Sequence, residues 1–328
     1  MPQDRRPDEP AEAAAQHPDR RALALMAELA GEHYLDGRSK VEIARRHRLS
    51  RFQVARLLDQ ARDEGVVRIT IVNPSDSGAD HADLAAALGV SSVTVVAQRS
   101  DETMRSALAR QVAHLLPLGL HDGARLGVSW SRTLSHLPEH LEGMPKVDIV
   151  QLVGPLSAPG SSTADSSTLV HRLGARAGGQ VWPLPTPLIV DSAAVAAALR
   201  GTDEVRAALE AADEMDVAVV SIGAWHPGGS TLWGRFSEEE HRRAREAGVV
   251  AECSGILLDE SGGVVESVME DRVVGVYPAQ LRRSRVVAVA PAVGQPAAVI
   301  AAARGSFVDD LVISAELADQ LAEMLDVR

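Results

Sequence analysis

The chain has a single cysteine, Cys253, in 328 residues. That excludes an intrachain disulfide framework and any zinc site that needs two thiolates. It also lacks a long uninterrupted apolar run. The best candidate, Val286 to Ala303, carries Pro291, Gln295 and Pro296 and does not read as a membrane span. Residues 1–19 are polar and proline-bearing, with no apolar core of a secretory signal, so a disordered tail and a cytoplasmic home are expected. Three catalytic signatures are absent: a nucleophile elbow, a His-Glu-x-x-His pair and a phosphate-binding P-loop. No cofactor, no metal and no membrane partner are expected. His136 and His140 have ligand-like spacing, but Pro138 lies between them and no third ligand is evident.

What is present is an ordinary soluble composition, 45% hydrophobic and 24% charged, with a formal net charge of −12. That total argues against non-specific coating of nucleic acid, but it hides an asymmetry. Between Arg38 and Arg68 nine Lys/Arg face four acids, a surplus of five that leaves −17 for the remainder. One short segment suits a polyanion and the larger part suits something else.

Periodicity identifies that segment as a small helical module over residues 20–73. A first helix from Arg20 places Leu23, Ala27, Ala30 and Tyr34 on one face and stops near Gly37. Ser39 to Glu42 has capping-box spacing and opens a short helix that buries Val41, Ile43 and Ala44 and ends near His47. Ser50 to Gln53 repeats the device ahead of a helix to about Glu64, with Val54, Leu57, Leu58 and Ala61 inward. Val66 to Val72 reads as a strand, the wing of a helix-turn-helix, and Asn73 to Gly78 as the linker to a second domain over 79–328.

The outward face of the third helix carries Phe52 and Arg56, with Gln53 beside them and Arg51 at the edge. Arginine forks to guanine, glutamine pairs with adenine and an aromatic touches a thymine methyl, so these are the candidate base readers of double-stranded operator DNA. Gln53 has a competing role in the capping box. Lys40, Arg45, Arg46 and Ser50 are expected near phosphates, where contacts position without reading. The plainer alternative is a solvated charged face on a helical bundle. The tight turn, both caps and the local charge reversal together favour DNA.

Beyond residue 80, strand-like runs alternate with helical stretches. The strands are expected at Val93–Ala97, Arg125–Val128, Asp148–Val153, Gln180–Pro183, Val217–Ile222, Gly255–Leu258, Val286–Ala290 and Asp310–Ile313. Helices include Thr103–Leu116, Ser167–Gly174, Ser192–Ala212, Glu238–Ala247 and Ala315–Leu325. This is an α/β pattern, a mostly parallel Rossmann-like sheet with helices on both faces. Gly127 to Leu134 follows a strand and is expected to lead into a helix. Ser129, Ser131 and Thr133 are then candidate donors to an anion, or simple capping hydroxyls. Ligands of such sheets sit beyond the strand carboxyl ends, which adds Gln151 and Gly223. Asp191 either accepts from sugar hydroxyls or caps the helix at Ser192, and Glu252 is a further candidate. Trp130 either stacks on a ring or fills core.

Leu49 to Leu58 and Ala61 to Val67 resemble the DNA-binding module of the SorC family of sugar-responsive bacterial transcription regulators. Leu126-Gly-Val-Ser-Trp-Ser-Arg-Thr-Leu134 is similar to that family's G-x-S-W-G-x-T-L loop. Gln151–Gly154, Leu184–Pro187, Ala251–Gly255, Arg272–Gly275 and Gly305–Val312 continue the resemblance, in order, through residues 20–328. The resemblance implies an effector domain similar to sugar-phosphate isomerases and deaminases. It would bind a sugar or sugar phosphate that changes operator affinity, in a homodimer or homotetramer. A sugar-phosphate isomerase or deaminase with an appended helical domain is the rival reading. The chain departs from the family pattern at Ser131, where glycine is usual, and at Pro296, where lysine is frequent. Proline cannot pair with phosphate, which argues against a doubly phosphorylated effector.

Overall fold

The computed structural model describes residues 20–64, 66–67, 79–100, 102–155, 166–266, 272–290 and 295–327. The expected tail (1–19), most of the wing strand (68–72) and the linker (73–78) lie outside the described residues. The chain divides into two compact units, Met1–Ile71 and Val72–Arg328.

In the first unit, α1 (Arg20–Ala30) runs into a π-helical turn (Gly31–Leu35), followed by α2 (Lys40–His47) and α3 (Arg51–Asp63). Both capping boxes form. Ser39 Oγ accepts from the Glu42 amide and the Glu42 carboxylate accepts from the Ser39 amide; Ser50 and Gln53 do likewise. Arg48 adopts a left-handed conformation (φ 52°) that ends α2 and folds the chain into the three-residue turn before α3. Leu29, Ala30, Ile43, Ala44, Val54 and Leu58 make the core.

Two expectations for this unit are corrected. Met26, Leu29 and Ala30 form the inward stripe of α1, while Ala27 and Tyr34 are exposed. The Ala/Leu-rich helix offers two stripes; the bulkier one packs, and the π turn shifts the phase after Ala30. Val41 is also exposed, because it lies about 200° around α2 from Ile43.

Among the described residues the second unit is built on ten strands: β1 (Ala79–Asp80), β2 (Ser92–Val96), β3 (Arg125–Val128), β4 (Asp148–Gln151), β5 (Val181–Trp182), β6 (Val217–Ala224), β7 (Val249–Cys253), β8 (Ile256–Asp259), β9 (Arg285–Ala290) and β10 (Asp310–Ser314). Their order is β1-β2-β10-β9-β6-β3-β4-β5. Every neighbour from β2 to β5 in that order is parallel. β1 is antiparallel at the edge, and β7 and β8 extend the end of β6 as an antiparallel hairpin.

The strands alternate strictly. Val217 and Val219 of β6 face a core layer with α5 (Met104–Gly119) and α7 (Ser166–Ala177), whereas Ala218 and Val220 face the opposite layer. That opposite layer holds α4 (Ala82–Leu88), α10 (Glu238–Glu246), α11 (Pro278–Leu281), α12 (Pro296–Arg304) and α13 (Ala315–Met324). Both faces are thus covered, as a parallel sheet requires. After β3 the chain adds β4 and β5 on one side of it, then crosses back to place β6 on the other. The β3/β6 pair is therefore the topological switch point of the sheet, where a crevice opens beyond the strand carboxyl ends.

Two helix expectations also change. The stretch Ser192–Ala212 is two helices, α8 (Ala193–Arg200) and α9 (Asp203–Ala211), broken at Gly201 and Thr202. The segment after the 127–134 loop is not a full helix. It is a 3-10 turn (Leu134–His136) and one short turn, α6 (Leu137–His140), because Pro138 has no amide to continue the hydrogen-bond ladder from the 3-10 turn and the chain turns extended at Leu141.

Candidate functional site

A cleft open to solvent lies at the β3/β6 switch point. Three connections converge on it. The loop after β3 contributes Ser129 to Thr133, the end of β6 and the following turn contribute Gly223 and Ser230, and the β7–β8 hairpin contributes Glu252 and Ser254. Gln295, at the start of α12, closes another wall.

The hairpin geometry follows from its sequence. Cys253 pairs with Ile256, so Ser254 and Gly255 form a two-residue turn with φ of 55° and 84°. Positive φ at both positions is the twist-matched hairpin turn, which suits Gly255 and is strained at Ser254. This turn aims the Gly255 amide at Glu252 Oε1 (2.7 Å), while Ser230 Oγ donates to Oε2 (2.9 Å). Glu252 is buried with no cationic partner among the described residues, and burial pushes its carboxyl above the ordinary range.

Three buried polar atoms around the cleft have no hydrogen-bond partner among the described residues: Thr133 Oγ1, Ser254 Oγ and Gln295 Oε1. Buried polar atoms are nearly always paired, and each unpaired one carries a desolvation penalty of about 1–3 kcal/mol. All three belong to residues that line the one crevice. Arg105 and Arg132 also line the cleft, and both are exposed.

Of the eight residues singled out from the sequence, the structure brings Ser129, Ser131, Thr133, Gly223 and Glu252 together here. Ser131 Oγ accepts from the Leu134 amide, a capping role. The other three lie elsewhere. Gly127 is inside β3, where a Cβ would run into Met215 and Leu152, so its smallness serves packing. Gln151 is buried with its amide in use: Nε2 donates to Val153 O and Ser166 Oγ, both 2.8 Å, and Oε1 accepts from the Leu184 amide. Asp191 is exposed beside Arg235 and Arg272 in a separate depression, and Ser192, not Asp191, caps α8. Trp130 is partly buried, packing against both core layers while also lining the cleft.

Sequence reasoning missed Ser230, Ser254, Gln295, Arg105 and Arg132. Ser254 adjoins Glu252 in sequence and Gln295 directly precedes Pro296, but nothing local shows that either faces the β3 loop. Pro296 occupies the first turn of α12, where its fixed φ suits a helix start. His136 and His140 turn to different partners, Glu139 (3.3 Å) and Ser106 (2.9 Å).

In the first unit, α3 presents Arg51, Phe52, Gln53 and Arg56 to solvent, with Phe52 85% exposed. The Gln53 Oε1 is taken by the Ser50 amide at 2.8 Å, and Ser50 Oγ by the Gln53 amide. On α2, Lys40 is half-buried and Arg45 and Arg46 are exposed. Arg46 Nε meets Glu32 Oε1 at 3.2 Å.

The Sugar-bind family model, described as "Putative sugar-binding domain", matches residues 76–323. The chain is 27% identical over 318 residues to the Deoxyribonucleoside regulator of Bacillus subtilis, across 94% of this chain and 100% of that protein. It is 30% identical over 295 residues to the Transcriptional regulator LsrR of Klebsiella pneumoniae subsp. pneumoniae, across 88% and 89%. The crystal structure of the full-length Sorbitol Operon Regulator SorC from Klebsiella pneumoniae superposes with a TM-score of 0.67 at 23% identity, covering 91% of this chain and 98% of that one.

Proposed function

The chain belongs to the SorC family, DNA-binding transcriptional regulators with a sugar effector, and from that premise we propose how its residues divide the work. The cleft between β3 and β6 binds the effector. The observation that carries this is the set of three unpartnered buried polar atoms, Thr133 Oγ1, Ser254 Oγ and Gln295 Oε1, around one crevice at the switch point. A polyol offers the donors and acceptors that these atoms lack, and Glu252 accepts from a ligand hydroxyl.

The charge balance of the cleft refines the ligand class. Arg105 and Arg132 outnumber Glu252, and Pro296 adds no cation. This favours a sugar with one anionic group over one with two. On the first unit, Arg51, Phe52 and Arg56 read base edges, while Lys40, Arg45, Arg46 and Ser50 lie near phosphates. Gln53 takes part only by leaving its cap. One recognition helix spans one half-site, so the working form is a homodimer or homotetramer. Effector binding shifts the population between arrangements of paired N-terminal units that differ in effector affinity.

An enzymatic reading gains no support from side-chain chemistry. The relatives are transcriptional regulators, and burial pushes the Cys253 thiol up to about 12, which makes it a poor nucleophile.

The test is a thermal-shift screen of sugars and sugar phosphates. It is followed by anisotropy titration of DNA from upstream of the protein's own operon, with and without the stabilising compound. A stabilising sugar that changes operator affinity supports the proposal. Compounds that all leave both the melting temperature and the DNA affinity unchanged would remove it.

A further inference from the structure

Glu32 is the only charged side chain that is buried among the described residues of the DNA-binding unit. It sits in the π-helical turn after α1, 7% exposed, a kind of irregularity that recurs at functional sites. Three cationic side chains converge on it. Oε1 meets His47 Nε2 at 3.0 Å and Arg46 Nε at 3.2 Å, and Oε2 meets Arg38 Nη1 at 3.2 Å. The hydrogen bond from His47 chiefly, with Arg46 and Arg38 adding to it against the opposing effect of burial, holds the carboxyl below its ordinary range. One anion thus ties the end of α1 to the approach and to the last turn of α2.

A role in stability alone explains this poorly. Buried ion pairs are often no more stabilising than packed apolar residues of similar volume. Glu28, Glu32 and His47 lie close enough to hold a cation, but His47 and Arg46 already stand against Oε1, and Arg38 stands beside Oε2 as an ion pair without a hydrogen bond. The informative detail is which atom of Arg46 is used. The contact is through Nε, the side chain is 59% exposed, and its two Nη atoms have no other partner among the described residues. An ion pair at Nε restrains that edge of the guanidinium and leaves the Nη edge turned to solvent, where it can meet an anion. A free arginine loses about 2 kcal/mol of rotamer entropy when it is fixed, and a side chain already fixed avoids most of that loss on docking.

We infer that Glu32 is a positioning residue for DNA: it orients Arg46 through Nε so that the Nη edge meets a backbone phosphate beside the recognised half-site. The inference rests on the reading of Arg46 as a phosphate contact, and its test separates the two.

The experiment uses the full-length protein and a duplex from upstream of its own operon, with random duplex as control, titrated by anisotropy over a range of salt. Arg46→Ala is expected to weaken both complexes about tenfold, the loss of one charge-assisted contact. It should also make the slope of log K against log salt shallower by about 0.9. Glu32→Gln is expected to reproduce most of that loss, and the double variant should be no weaker than Arg46→Ala alone. Glu32→Asp should recover part of the affinity. Arg46→Lys keeps the charge but has no Nε to hold, so it should bind several-fold more weakly than the native protein. This variant decides the matter if Glu32→Gln fails to fold. An unchanged affinity and slope in Arg46→Ala would remove the phosphate contact itself. A normal affinity in Glu32→Gln or in Arg46→Lys, with a loss in Arg46→Ala, would overturn the role of Glu32 alone.

Discussion

Replacing Thr133 by valine should make the free protein more stable and the effector complex weaker. Thr133 is 1% exposed at the edge of the cleft, and its hydroxyl has no partner among the described residues. Valine has nearly the same shape, so the substitution removes a polar atom without opening a cavity. A buried hydroxyl without a hydrogen bond is destabilising by about 1–3 kcal/mol in protein mutational series. Taking the lower end, about 1 kcal/mol, the melting temperature of a unit this size should rise by about 2–4 °C.

The complex behaves in the opposite sense. There the effector supplies the missing partner, and valine forfeits a hydrogen bond worth about 1–1.5 kcal/mol, close to a tenfold rise in Kd. Calorimetric melting without ligand, and titration with the most stabilising compound of the sugar screen, measure the two arms separately. A lowered melting temperature would mean that the hydroxyl is already satisfied in the free protein. An unchanged Kd would place the ligand elsewhere. Either result refutes the reasoning, whereas a general packing defect would lower stability and affinity together.

Arg56→Ala should weaken binding to the upstream fragment by about 1–3 kcal/mol and relax discrimination at one base position, measured by competition with single-base variants of the duplex. Glu252→Gln tests the buried carboxyl, whose pKa is raised by burial. Such a group favours folding while it keeps its proton and loses that contribution as pH rises. The variant should therefore melt with the native protein at about pH 4 and progressively above it towards about pH 8. Equal melting temperatures at both values would show that Glu252 is not desolvated. Leu58→Ala removes a fully buried side chain from the small N-terminal core and should destabilise that unit by about 2–5 kcal/mol. DNA binding should disappear while the transition of the larger unit is retained, as seen by circular dichroism and calorimetry; a single lowered transition would contradict the division into units.

The amino-acid sequence by itself determined what depends on neighbours a few positions apart. Ser39 with Glu42 and Ser50 with Gln53 are three residues apart, so their capping boxes and the tight turn between α2 and α3 could be read directly. The alternation of apolar runs with helical stretches announced a covered parallel sheet for the same reason, since pleat and helix both repeat within four residues. Only the tertiary structure decided which of the candidate groups meet. Thr133, Ser254 and Gln295 come from three separate connections, and their shared crevice exists because the chain reverses its direction of winding between β3 and β6. The same folding drew Gln151 into a buried network with Ser166 and Leu184, and left Asp191 outside. Glu32 gave no signal in the linear order, because its meaning lies in Arg46 and His47, which reach it across two turns of chain. Local periods record which face a residue occupies; they carry no information about what a later segment brings to that face.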